Sequence, residues 1–184
     1  TGQYLLEQDN DKASPMRKLL VTRGAPGSGK STWLREIGME HNTISSDAVR
    51  GLFASPALLP DGRVVVDQSV TLEAFELIGQ LLDRRMQKGE TLALDTTGVD
   101  GDWEGLLERA RENGYQVACL DCSTVTVEQC LARNAGRSGL DRVPDKSVER
   151  MHGLLVGQAV PSQVQRIAWN PDGSHLGQSR RWLA

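Results

Sequence analysis

The chain has 184 residues and a formal net charge of −3, with 39% hydrophobic and 24% charged residues. This length predicts one domain with a substantial core, because a domain of this size buries roughly 70% of its unfolded surface. The composition excludes a low-complexity chain, the charge argues against binding of nucleic acid over the whole surface, and no apolar run approaches the roughly 20 residues of a membrane helix.

The first segment, residues 1–15, is polar, aperiodic and ends in Ala-Ser-Pro. We interpret it as a tail or linker, so the predicted domain covers residues 16–184. Because no basic-then-apolar signal pattern is visible, and because the odd number of cysteines fits thiols in a reducing compartment, we expect a cytoplasmic protein (host cytoplasm if phage-encoded).

The predicted elements alternate between strands and helices. Apolar runs predict strands at 18–22, 42–45, 91–94, 115–120 and 163–169; periodicity predicts helices at 31–38, 66–88, from 103 to Asn113-Gly114, at 126–134 with a Thr126–Gln129 capping box, and after Pro144. This alternation predicts an α/β fold in which helices cover both faces of a parallel sheet. The strand ends, and a ligand, are then expected at one edge of that sheet.

The segment between the first strand and the first helix matches G-x-x-x-x-G-K-[ST]. It consists of Gly24, Ala25, Pro26, Gly27, Ser28, Gly29, Lys30, Ser31 and Thr32. Its glycines allow backbone conformations in which successive N–H groups cradle phosphates. Lys30 is then expected to reach the β- and γ-phosphates and Ser31 to ligate Mg²⁺. The motif predicts a P-loop NTPase fold that binds a nucleoside triphosphate with magnesium.

Two aspartates follow predicted strands at the same sheet edge. Asp47 is placed to orient an attacking hydroxyl and accept its proton, although an Asp before Ala48-Val49-Arg50 is also a good helix N-cap. Asp95 ends the 91–94 strand. It either holds magnesium through water or orients the acceptor, or it braces the phosphate loop.

A late loop and its flank carry Arg133, Arg137 and Arg142 around two glycines. Arginines on a mobile lid neutralise developing charge in phosphoryl transfer, so the loop is predicted to be a lid rather than a solvated basic loop. Trp33 and Trp169 are candidates for stacking on a base, against the alternative that both belong to the core.

Three cysteines remain, two of them with C-x-x-C spacing. Cys119 and Cys122 lie at the end of an apolar run, where a strand would point them to opposite faces. They are predicted to be buried thiols rather than redox or metal ligands.

Taken together, these motifs resemble those of the polynucleotide 5′-hydroxyl kinases of bacteriophages and of the kinase module of bacterial RNA end-healing enzymes. The resemblance spans Met16 to Leu155 and includes the phosphate loop with its flanks, Ile44-Ser45-Ser46-Asp47 through Arg50-Gly51-Leu52, Asp67-Gln68-Ser69, Asp95-Thr96-Thr97, and Arg133-Asn134 with Arg137 and Val143-Pro144. The phosphate loop alone is common to many kinases, whereas its combination with Ser-Asp-x-x-Arg and Asp-Gln-Ser is more specific.

The resemblance implies an adenylate-kinase-like fold with an arginine-bearing lid, and Mg²⁺-dependent transfer of the ATP γ-phosphate to a 5′-hydroxyl of RNA or DNA. Asp47 would be the general base, and Arg50, assisted by Gln68, would contact the phosphate next to the acceptor nucleotide. Arg137 would clamp the donor phosphates, with Arg133 beside it. Nucleic acid is the expected partner, without a membrane, and the oligomeric state stays open.

Three alternatives remain open from the sequence. A kinase of a hydroxymethylated base inside phage DNA would share these features. A small-molecule kinase would share the phosphate loop and the Asp but would not need Arg50 and Gln68. A nucleotide-binding regulatory module would bind ATP without transferring phosphate.

Overall fold

The structure, a computed structural model, describes residues 17–99 and 102–184, so the predicted tail at 1–15 lies outside the described part. The described residues form the strands β1 (Lys18–Arg23), β2 (Thr43–Ser45), β3 (Ala57–Leu58), β4 (Val64–Val65), β5 (Leu92–Asp95), β6 (Gln116–Asp121) and β7 (Gln165–Ala168). Five of them make one sheet in the order β2-β5-β1-β6-β7, and every neighbouring pair is parallel. All five strands therefore end at the same edge.

Helices cover both faces of this sheet, as predicted. They are α1 (Lys30–Glu36), α2 (Ser46–Phe53), α3 (Thr71–Gln87), α4 (Trp103–Glu112), α5 (Val127–Ala135), α6 (Asp145–Val156) and α7 (Ser174–Leu183), with 3₁₀ turns at Glu40–Asn42 and Gly139–Asp141. One core lies between the sheet and α1, α5, α6 and α7, and the other between the sheet and α2, α3 and α4. Alternate β1 residues separate the two, because Leu20 faces the first core and Leu19 and Val21 face the second.

The long helix predicted at 66–88 was wrong at its start, since α3 begins at Thr71. In the segment before Thr71, local hydrogen bonds replace those of a helix. Asp67 Oδ1 accepts from the Ser69 backbone N–H, and the Thr71 hydroxyl donates to the Gln68 carbonyl. The predicted stop is confirmed. Gly89 follows α3 with a φ of 74°, a left-handed conformation that favours glycine.

The predicted elements did not include helix α2, the β3–β4 hairpin or helix α7. The β3–β4 hairpin surrounds Pro60-Asp61-Gly62, and its signal is an Asp-Gly between apolar pairs. Helix α7 was missed although Leu176, Trp182 and Leu183 form an apolar stripe that packs on the first core.

An ionic network centred on the buried carboxylate of Asp121 joins β1, β6 and β7. Arg23 Nη1 lies 3.1 Å from Asp121 Oδ1, with side chains 4% and 1% exposed, and Arg166 Nε lies 2.6 Å from Asp121 Oδ2. Arg23 Nη2 also donates to the carbonyls of Leu155 and Gln158 after α6. Burial by itself would raise the pKa of Asp121, but hydrogen bonds from Ser123 and Arg166 and the charge of Arg23 bring the pKa below its ordinary value.

The cysteines are buried and free, as predicted. Burial raises the pKa of Cys122 to about 12 and that of Cys119 further, so neither thiol forms a reactive thiolate near neutral pH. Across the described ranges, no cluster of three or more His, Cys, Asp or Glu side chains has the arrangement of a metal site. None of the helices within those ranges combines the length and the apolar character required to cross a bilayer.

Candidate functional site

The phosphate loop between β1 and α1 has a backbone that only glycine readily adopts. Gly24, Gly27 and Gly29 have φ values of 154°, 85° and 101°. A Cβ atom at Gly27 would overlap the carbonyl oxygen of Cys130 on α5, and one at Gly24 would press on the Ser28 side chain. The loop therefore packs against α5 without side chains in between, which leaves its outer surface open to phosphates.

Lys30 lies over this loop. Its Nζ donates to the carbonyl oxygens of Gly24 and Ala25, at 2.8 and 3.1 Å. The ammonium is thus held at the mouth of the loop by neutral carbonyls. A phosphate oxygen, being charged, would be a stronger acceptor for it. The residues of the loop fit a triphosphate.

The end of β5 contacts the start of α1 through one carboxylate. Ser31 Oγ donates to Asp95 Oδ2 at 2.7 Å, and Thr22 Oγ1 lies 2.9 Å from Asp95 Oδ1. Of the roles left open for Asp95, bracing of the loop is therefore seen directly. The pair of Ser31 and Asp95 also supplies the oxygen ligands that Mg²⁺ prefers, so the chemistry of this corner fits that ion.

Asp47 lies at the β2 end of the same sheet edge. Helix α2 begins at Ser46, and its N-cap is Ser45, whose Oγ accepts from the Ala48 backbone N–H at 3.4 Å. The N-cap interpretation of Asp47 was therefore wrong. Its carboxylate is 66% exposed and accepts from Arg50 Nη1 at 2.8 Å.

Arg50 is held from three sides. Besides the bond to Asp47, its Nε donates to Thr71 Oγ1 at 3.3 Å, and its guanidinium carbon lies 5.6 Å from the centre of the Phe75 ring. The side chain is only 11% exposed. Gln68 lies next to this group by its backbone, because its carbonyl accepts from the Thr71 hydroxyl, while its exposed side-chain amide donates to the Val66 carbonyl at 3.4 Å.

The predicted lid arginines differ in position. Arg133 reaches the phosphate loop, where its Nη1 donates to the Ser28 carbonyl at 3.3 Å. Arg137 is exposed and its Nη1 donates instead to the Asp141 carbonyl at 3.4 Å, within the lid itself. Arg142 is exposed as well. In this structure it is Arg133 that lies beside the phosphates' site, and the clamping role of Arg137 stays a prediction.

The two tryptophans have different environments. Trp33 is 2% exposed and its Nε1 donates to Ser179 Oγ on α7, so the stacking alternative was wrong for it. Trp169 is half-buried at the end of β7, and the Arg133 guanidinium carbon lies 5.8 Å from its ring centre. Arg133 and Trp169 thus flank the phosphate loop on the side opposite to Asp47.

The fold of this chain is similar to that of several solved structures. The chain is similar to a chain of the Pnkp1/Rnl/Hen1 RNA repair complex, with a TM-score of 0.61 and 19% identity over 81% of this chain and 47% of that one, so it spans about half of that chain's length. It is similar to a sugar kinase from Janibacter sp. HTCC2649, with a TM-score of 0.60 and 17% identity over 92% of this chain and 95% of that one. It is also similar to a gluconokinase from Sinorhizobium meliloti 1021, with a TM-score of 0.56 and 17% identity over 94% of this chain and 93% of that one. At these identities the similarity shows the fold, a P-loop kinase fold. No curated protein matches the sequence.

The family is shown by the sequence itself. The AAA domain family AAA_33 matches residues 19–156, which contain the phosphate loop, the Asp47–Arg50 pair, Asp95 and the lid. Since the match covers most of the chain, and since a parallel sheet bears that phosphate loop at the end of its central strand, this protein belongs to the AAA domain family AAA_33, as a P-loop domain with the kinase fold.

Proposed function

We propose that this protein transfers the γ-phosphate of ATP to a 5′-hydroxyl end of RNA or DNA in a Mg²⁺-dependent reaction. The observation that carries the proposal is the exposed Asp47 carboxylate, which accepts a hydrogen bond from the Arg50 guanidinium at the sheet edge that bears the phosphate loop. A general base and a fixed cation beside it suit an alcohol whose neighbour is a phosphodiester.

The donor would lie across the phosphate loop with its γ-phosphate toward β5 and β2. Lys30, now bonded to loop carbonyls, and the loop backbone would hold the β- and γ-phosphates, and Ser31 with Asp95 would hold Mg²⁺. Bound Mg²⁺ would neutralise charge on the phosphates. The nucleoside end would then point to the β6–β7 side, where Arg133 lies over Trp169.

The acceptor hydroxyl would lie against Asp47. The carboxylate orients the O–H and accepts its proton, the oxygen forms a bond to the γ-phosphorus, and ADP leaves. Arg50 already donates to Asp47 and Thr71 through Nη1 and Nε, and within the described residues Nη2 has no hydrogen-bond partner. That remaining donor is suited to a phosphate oxygen one nucleotide into the strand.

A second candidate is a kinase of a small-molecule alcohol. It is favoured by the sugar kinase and gluconokinase structures, which this chain matches over nearly their whole lengths. For such an acceptor, Arg50 would serve to orient Asp47 rather than to bind a phosphate.

An acceptor screen tests these proposals. The protein is incubated with labelled ATP and Mg²⁺, and with 5′-OH RNA, 5′-OH DNA, duplex DNA containing a hydroxymethylated base, gluconate or nucleosides. We expect label on the 5′ end of an oligonucleotide. Label on an internal base or a small alcohol alone would assign one of the other acceptors, and ATP binding without any transfer would indicate a regulatory module.

Substituting Arg50→Ala separates the first two candidates. Loss of a hydrogen bond to a charged group costs about 1.5–3 kcal/mol, so we expect KM for an oligonucleotide to rise roughly 10- to 150-fold. Basal ATP hydrolysis should change little. Arg84→Ala, an exposed arginine on α3, is the control. An equal loss with a small alcohol would instead indicate that Arg50 acts only through Asp47.

Substituting Ser31→Ala tests the magnesium corner. The change removes one oxygen ligand and the hydrogen bond to Asp95, so we expect the Mg²⁺ concentration for half-maximal activity to rise roughly 10- to 100-fold. Titration of Mg²⁺ at saturating ATP measures it. Ser162→Ala, an exposed serine at the far edge of the sheet, should leave the titration unchanged.

A further inference from the structure

The β3–β4 hairpin starts and ends on the elements that form the acceptor side. Helix α2, which carries Asp47 and Arg50, precedes the hairpin, and Thr71, the first residue of α3, follows it and accepts from Arg50. The two helices also pack against each other. The Asp47–Arg50 group is thus connected through short segments of chain to both ends of the hairpin.

The hairpin is built as one unit. The Leu59 N–H donates to the Arg63 carbonyl at 2.8 Å, and Arg63 Nε donates to Asp61 Oδ2, also at 2.8 Å. Leu58 and Val64 are direct cross-strand partners on one face, 73% and 40% exposed. Among the described residues, neither hydrophobic core includes a hairpin side chain. The hairpin can thus shift without disturbing either core.

The second strand of the hairpin lies against the lid. β4 contacts the 3₁₀ turn Gly139–Asp141. The hydrogen bond to Asp61 and, in addition, the nearby charge of Asp145 at the start of α6 raise the pKa of Arg63. Leu140, in the middle of the turn, is 43% exposed. Closer approach of hairpin and lid would bury apolar surface and strengthen an attraction between opposite charges.

The same turn holds the lid arginine. Arg137 Nη1 donates to the carbonyl of Asp141, the last residue of the turn. Buried Asn134 closes the base of the loop, because its Nδ2 donates to the Val143 carbonyl at 2.7 Å and its Oδ1 accepts from the Val143 N–H at 3.0 Å. Because the bond to the Asp141 carbonyl ties Arg137 to the turn, a displacement of the turn would carry the arginine with it.

We infer that the β3–β4 hairpin is a positioning element for phosphoryl transfer, which connects an occupied acceptor site to the lid turn and thereby brings Arg137 over the donor phosphates. The inference rests on the proposed function. Coupling between two sites is reciprocal, and typical coupling corresponds to a 5- to 150-fold change in affinity. The acceptor should therefore tighten ATP binding, and ATP the binding of the acceptor, by the same factor.

The experiment measures binding of a non-hydrolysable ATP analogue, with and without a saturating 5′-OH oligonucleotide. In the wild type we expect the oligonucleotide to raise the affinity for the analogue about 5- to 150-fold. In Val64→Asp a charge is placed on β4, the strand that contacts the turn, and the ratio should fall to about 1 while the affinity for the analogue alone stays within about twofold. Leu154→Asp, with similar exposure on α6 (42% against 40%), should keep the wild-type ratio.

A second readout does not depend on binding constants. Trypsin cleaves after exposed lid arginines such as Arg137 and Arg142, and analogue plus oligonucleotide should slow this cleavage in the wild type and in Leu154→Asp but not in Val64→Asp. A wild-type ratio of about 1, or equal ratios in wild type and Val64→Asp, would overturn the role of the hairpin. Absence of phosphate transfer to oligonucleotides would instead overturn the proposed function, and the same measurements with the alcohol that is phosphorylated would then decide the hairpin separately.

Discussion

Substituting Asp47→Asn is expected to lower kcat by roughly 10²- to 10⁴-fold, the range typical for loss of a general base. The amide keeps the shape of the side chain but cannot accept the acceptor's proton. Affinity for ATP should stay unchanged, because the carboxylate lies on the β2 side of the site and the phosphate loop follows β1. Single-turnover transfer and binding of a non-hydrolysable analogue measure the two quantities.

The protein should remain folded in this variant. The Asp47 carboxylate is 66% exposed, and exposed ion pairs contribute at most about 1 kcal/mol. Glu76→Gln, an exposed carboxylate on α3, is the matched control and should keep full activity. A kcat for Asp47→Asn within a few-fold of the wild type would show that residue 47 is not the base.

Substituting Asp121→Asn is expected to cost about 3–5 kcal/mol of unfolding free energy, as for other broken buried ion pairs. The change leaves Arg23 charged at a site where its side chain is 4% exposed, and it weakens the bond to Arg166. Urea denaturation at pH 7 measures the loss. Asp83→Asn, which breaks a pair with Arg109 whose side chains are 34% and 39% exposed, should cost less than about 1 kcal/mol.

The pH dependence of the Asp121 effect has a definite sign. Because the folded pKa of Asp121 lies below its unfolded value, the carboxylate stabilises the fold fully above about pH 4 and loses that contribution as the pH falls through the folded pKa. The difference between wild type and Asp121→Asn should therefore be constant from about pH 5 to 7 and shrink in acid. A difference that grows as the pH falls would contradict the assignment.

The Asp121 network also has a place in the function. Arg23 directly precedes the phosphate loop, and its guanidinium donates to carbonyls at and beyond the end of α6, the helix that follows the lid. The far end of the lid is thereby attached to the strand that carries the loop. The base of the lid is fixed as well, by the Asn134–Val143 hydrogen bonds, so the turn Gly139–Asp141 beyond that base is the part of the lid that the hairpin contacts and can displace.

Local chemistry explains which predictions from the sequence were confirmed. The capping box of Thr126 and Gln129 is present in both directions, and Gly89 ends α3. These features depend on residues within one helical turn of each other, and such short-range interactions can be predicted from a single sequence. The predicted start of α3 was wrong for a reason that is also local, because the hydrogen bonds of Asp67 and Thr71 outweighed the apolar periodicity.

The phosphate loop could be predicted from the residues alone, because the G-x-x-x-x-G-K-[ST] spacing follows an apolar run, and the positive φ values of the glycines at 24, 27 and 29 agree with it. The surroundings of the loop, in contrast, depend on contacts between distant parts of the chain. Ser31 and Asp95 meet across 64 residues, Trp33 and Ser179 across 146, and the hairpin reaches the lid. Such contacts follow from the order of strands in the sheet, which is fixed by burial of both faces at once and not by any local pattern.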